Sequence, residues 1–144
     1  MLGDAQWIDI LWPQQQDPNI DDENLNSLIF KIQDHGVSVL ITGDITEEGE
    51  KALVEKYKGT DTLKSDILKV AHHGSPYSTS DLFLDAVKPS VAVISVGKNN
   101  YGHPSNVVIE KLRKKGIMVF RTDQSGAVGI INRKGKISVC TKNQ

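Results

Sequence analysis

The chain has 144 residues, 38% hydrophobic and 24% charged, with a formal net charge of -1. That composition excludes disordered and collagen-like chains, and the length fits a single domain over residues 1–144, burying about two thirds of the surface its unfolded form exposes. The near-neutral charge provides no global field toward nucleic acid, and the single Cys140 excludes both an internal disulfide and a cysteine metal site.

Residues 6–12 read as a strand, and Pro13 with the polar run to Asn24 reads as a loop, long for so small a domain. Residues 27–32 and 37–41, joined by Asp34-His35-Gly36, predict a hairpin with a glycine-containing turn, which leaves His35 at an exposed tip. A helix follows over 46–57, with Thr46 as N-cap and Glu47 and Glu48 in its first turn. Residues 66–70 form a short strand running directly into Ala71-His72-His73-Gly74-Ser75. Ser78-Thr79-Ser80-Asp81 has capping-box character and opens a helix to about Val87. Residues 91–96 are apolar and β-branched, as a buried strand requires.

Pro104 suits the first position of a helix that ends before Gly116, with Lys111, Arg113, Lys114 and Lys115 best read as its solvated face rather than a polyanion patch. Residues 117–120, 126–131 and 136–140 complete the pattern as strands, and Arg121-Thr122-Asp123-Gln124 reads as a turn. Cys140 then sits in a strand. The order predicts an α/β fold: a mixed sheet, helices as crossovers, and a hairpin near each end. No apolar run approaches the roughly 20 residues of a membrane span, and no signal peptide is present, so the chain is expected to be soluble.

Three strand ends carry candidate chemistry. Asp44 projects beyond the strand that ends at Thr42-Gly43, although a turn or helix-entry aspartate would look the same. His72 and His73 point different ways, so one can ligate a metal while the other supports it or meets substrate. Ser75 offers a hydroxyl or a cap. Asn99-Asn100-Tyr101-Gly102-His103-Pro104 leads to a helix N-terminus that favours an anion, or serves simply as turn and cap.

Taken together, Ile41-Thr42-Gly43-Asp44, Val70-Ala71-His72-His73-Gly74-Ser75 and Val93-Ile94-Ser95-Val96-Gly97, the last continued through Gly102-His103-Pro104, stand in a recognisable order. With Asn26-Ser27-Leu28 and Arg121-Thr122-Asp123-Gln124-Ser125-Gly126, the set resembles the C-terminal metallo-β-lactamase-like domain of the ComEC family of DNA-uptake competence proteins, over about residues 7–139. The resemblance implies half of an αββα sandwich, a mixed β-sheet with helices on one face. It implies that Asp44 is a carboxylate bridging two divalent ions, zinc or manganese, and that His73, next to the glycine, or else His72, is a late histidine ligand. Ser75 and His103 would lie near the site, touching substrate or the ligands. Two such cations activate water and neutralise the charge that develops when DNA or another phosphodiester is attacked.

One departure bears on all of this: no histidine precedes His35, so the family's early His-x-His-x-Asp-His motif is absent. The chain is therefore expected to be the distal half of the domain, unable alone to fill a two-metal site and inactive in isolation. Its apolar sheet face would drive self-association or binding to the missing half. The parent protein is expected to reside in a bacterial cell membrane with this domain as a soluble part. A reading of another class is a metal-free binding or scaffolding domain that kept the fold and lost catalysis.

Overall fold

The computed structural model describes residues 6–13 and 23–142, so most of the loop expected over 13–24 lies outside the described residues. In chain order the elements are β1 (Trp7–Trp12), β2 (Ile29–Asp34), β3 (Val37–Ile41), α1 (Glu47–Lys56), β4 (Ile67–Lys69), α2 (Asp81–Val87), β5 (Val91–Ile94), α3 (Asn106–Lys114), β6 (Met118–Arg121), the one-turn α4 (Thr122–Ser125), β7 (Val128–Arg133) and β8 (Lys136–Thr141). The first six strands form one mixed sheet in sequence order, antiparallel from β1 to β3 and parallel from β3 to β6. Parallel neighbours need a crossover between them, and α1, α2 and α3 supply the three.

Local chemistry explains the hairpin turns. His35 and Gly36 both take positive φ, 44° and 79°, the type I′ geometry whose twist matches two antiparallel strands. Lys134 and Gly135 repeat the device between β7 and β8.

Alternation along the strands sorts side chains onto two faces. Leu40, Leu68, Ala92 and Ile94 pack with Leu53 of α1, Phe83 and Leu84 of α2, and Val108 and Leu112 of α3, all buried in one cluster. The helices therefore share one face of the sheet, an α/β layering compatible with half of an αββα sandwich. On the other face Val37, Ile67 and Val91 are covered by Ile130, Ile137 and Val139 of the β7–β8 hairpin. That hairpin is a separate two-stranded sheet rather than an extension of the main one. It leaves the β1 end of the face bare, where Ile8 and Ile10 are 64% and 67% exposed.

Several details depart from the sequence reading. Pro104 lies outside α3, whose N-cap is the extended Ser105, because the proline ring packs beside Gly74. Thr46 makes no side-chain cap; the Glu47 N–H at the start of α1 instead donates to the Tyr77 carbonyl at 2.8 Å. Ser80, not Ser78, caps α2, its Oγ accepting from Phe83 N. The wholly buried Glu50 of α1 accepts the N–H groups of Thr79 and Ser80 at 2.5 and 2.8 Å, which ties α1 to the start of α2. Burial pushes the Glu50 carboxyl above its usual range, against the opposing effect of those two bonds. The basic residues near the end of α3 are split up: Lys111 donates to the Thr79 carbonyl, and Lys115 pairs with Asp85 and Asp81.

Candidate metal centre

Because β3 and β4 are parallel neighbours, their C-terminal ends fall side by side, where open α/β sheets place their chemistry. After β3, the buried Thr42 donates its hydroxyl to the Lys69 carbonyl and the Asp44 N–H donates to Ser27 Oγ. These bonds fix the Asp44 backbone, and none of them uses its carboxylate. After β4, the His72 N–H donates to the Gly43 carbonyl at 3.1 Å, which locks the two strand-end turns together.

His72 and His73 both adopt left-handed backbone, with φ of 48° and 54°. For residues with a Cβ this costs on the order of 1–3 kcal/mol each, strain of a kind that clusters at functional sites. It also aims the two rings. His73 Nδ1 lies 2.7 Å from the Ser95 carbonyl oxygen at the end of β5. A carbonyl can only accept, so Nδ1 carries a proton and Nε2 is the ring nitrogen left to face the cleft, the orientation of a metal-ligating histidine held by an outer partner. His73 Nε2 is 3.8 Å from Asp44 Oδ1, with both side chains about half exposed.

An ion pair so long and so wet is worth little, so pairing alone does not account for the geometry. Two ligands of one zinc ion would stand nearly as far apart: bonds of about 2.0–2.2 Å at a tetrahedral angle give roughly 3.4 Å, a few tenths of an ångström below the 3.8 Å found. Two donors do not complete a site. Among the described residues no group of three or more His, Cys, Asp and Glu side chains converges to hold a metal ion.

The remaining expected residues divide. His103 faces the same cleft, its ring stacked on His72 with centroids 5.8 Å apart and planes 20° from parallel. Burial, and then the neighbouring His72 and His73, hold its pKa below the usual histidine value. The Nδ1 atoms of His72 and His103 are buried without a hydrogen-bond partner. Ser75 is buried and apart from the cleft lining; its Oγ accepts from Tyr77 N within the turn.

The cleft has a volume of about 590 Å³, and it also draws on Ser95, Lys98, Asn99, Tyr101 and Thr122. Thr122 was hidden in the segment read as a turn: its Oγ1 accepts from Val96 N and donates to the Val96 carbonyl, joining the ends of β5 and β6. The segment itself closes as α4, with Arg121 forked onto Asp123.

No family model matches the chain. It is 39% identical over 133 residues to ComE operon protein 3 of Bacillus subtilis (strain 168), an alignment covering 90% of this chain and 16% of that protein. It is 42% identical over 128 residues to Competence protein ComA of Neisseria gonorrhoeae, covering 85% of this chain and 18% of the relative. The chain is related to competence proteins. A third relative, Recombination protein 2 of Haemophilus influenzae, is 37% identical over 110 residues, with 75% and 13% covered. The chain thus spans less than a fifth of the length of the curated relatives it matches. No helix among its described residues is long and apolar enough to cross a membrane.

Proposed function

We propose that this chain is the distal half of a metallo-β-lactamase-like domain, part of a metal-dependent phosphodiesterase or nuclease that serves DNA uptake. Asp44 and His73 contribute ligands to a pair of divalent ions, zinc or manganese, and His103 stands at the substrate side. When bound, such ions activate water and offset the charge that builds on an attacked phosphodiester. This chain's own part is to aim the Asp44 carboxylate and Nε2 of His73 at one point, with His103 beside them, its pKa lowered by burial.

The observation that carries the reading is the lock of His73 Nδ1 on the Ser95 carbonyl while its Nε2 faces the Asp44 carboxylate. The remaining ligands come from a half that supplies the histidine motif this sequence lacks, and that half covers the bare Ile8 and Ile10 end of the sheet. Alone, the chain is inactive and self-associates through the same face. The parent protein is a cell-membrane protein of which this domain is a soluble part.

The test joins this chain to a half carrying that motif and measures bound metal and phosphodiester hydrolysis. The parent should retain metal and cleave, and Asp44→Ala should lose both. Equal metal content in the two would sink the proposal.

A further inference from the structure

Residues 97–103 connect the end of β5 to the approach of α3 and give the cleft Gly97, Lys98, Asn99, Tyr101 and His103. The connection is stiff. Asn99 Oδ1 accepts from the N–H groups of Tyr101 and His103 at 3.0 and 3.1 Å, and Nδ2 donates to the carbonyls of Gly97 and His103 at 2.9 and 2.7 Å. On this stapled loop Tyr101 is 86% exposed, more than any other large hydrophobic residue described. Its ring stands edge-on to His103, centroids 6.1 Å apart and planes at 67°, and His103 in turn stacks on His72. Three rings therefore run in file from the open loop to the histidine turn. Lys98, three residues before Tyr101 on the same lining, is exposed and has no carboxylate partner among the described residues.

An exposed ring carried on a stapled backbone suits a flat partner. Bases are such partners, but in a duplex their faces are already stacked, so only an unpaired base can take this position. An ammonium on the same cleft lining, three residues before the ring in the chain, suits the phosphate attached to that base. We propose that the loop over 97–103 recognises single-stranded nucleic acid, Tyr101 stacking on one base and Lys98 pairing with the adjoining phosphate. The contact presents the next phosphodiester to Asp44 and His73, so it rests on reading the cleft as a phosphodiester site. Stacking tolerates any base, so the recognition is for strandedness rather than sequence.

The test is fluorescence anisotropy of a labelled oligothymidine strand, with the metal chelated, against this chain and its variants. Tyr101→Ala should weaken binding about tenfold while Tyr101→Trp keeps it, the scale of one base–aromatic contact. Lys98→Ala should lower the slope of log affinity against log salt by about one. A strand with abasic sites should bind the parent as weakly as the normal strand binds Tyr101→Ala. Parent-like binding by Tyr101→Ala, equal affinity for the abasic strand, or preference for duplex would each overturn the proposal. Base-dependent binding that persists in Asp44→Ala supports it even where metal and hydrolysis are lost. A protein that cleaves phosphodiesters indifferently to Tyr101 would overturn it while leaving the hydrolase reading standing.

Discussion

Gly74 is where the two halves of the cleft wall meet, and replacing it with alanine is expected to damage both at once. Its φ is +82°, which costs a residue with a Cβ about 1–2 kcal/mol. The added Cβ would also stand 2.6 Å from Pro104 Cβ and 3.1 Å from Pro104 Cα, closer than packed atoms tolerate. Pro104 is held in turn, because the Ser105 N–H donates to the Gly74 carbonyl at 2.9 Å, so overpacking here should cost about 1–3 kcal/mol more. The total, about 2–5 kcal/mol, is a large part of the roughly 5–15 kcal/mol that holds a domain together. Urea unfolding followed by circular dichroism measures it. Gly97→Ala is the control: it lines the same cleft, its φ is not positive, and a Cβ there meets nothing within 4 Å, so its change should stay within about 0.5 kcal/mol. If Gly74→Ala unfolds with Gly97→Ala, the packing argument for the Gly74–Pro104 junction is wrong.

Two further outcomes follow from other parts of the fold. Glu50 has a folded pKa raised above 4.5 by burial, so the native state binds more protons than the unfolded one from pH 4.5 up to that raised value. Its contribution is fully present below pH 4.5 and is lost as pH rises through the folded pKa; Glu50→Gln should remove that part of the slope in a pH series of unfolding midpoints, and an unchanged slope would refute it. Replacing both Ile8 and Ile10 by lysine should shift the isolated chain toward monomer in sedimentation velocity at high concentration, since it charges the bare end of the sheet. A parent chain that is already monomeric there would contradict the account of that face.

What could be read in the sequence was what local periodicity and short-range chemistry encode. The apolar, β-branched run of β5, the His35-Gly36 turn and the crossover order all follow from residues close together in the chain. The neighbourhood of Asp44 and the His72-His73 pair was also legible, since parallel strands bring successive strand ends to one edge. Less legible was anything settled by distant contacts. The choice of His73 as the histidine facing Asp44 depends on the Ser95 carbonyl, 22 residues away. Thr122 joins the cleft through Val96, 26 residues away, and its own segment offered only turn chemistry. The rule that places proline at a helix start pointed to Pro104, but packing on Gly74 drew it out of α3. The separate sheet of β7 and β8 escaped for the same reason, because alternation marks a strand without saying which sheet it joins.

The claim on which the rest depends is that Asp44 and His73 of this chain point at one cation. Manganese broadens nearby nuclear resonances even at low occupancy, so two ligands alone suffice for the experiment. Titration of the isolated chain with Mn2+, followed by imidazole 15N and backbone spectra, should broaden signals centred on His73 Nε2 and Asp44, with His73 Nδ1 protonated, and Asp44→Ala should abolish the effect. Broadening centred elsewhere, or unchanged by Asp44→Ala, would contradict the account.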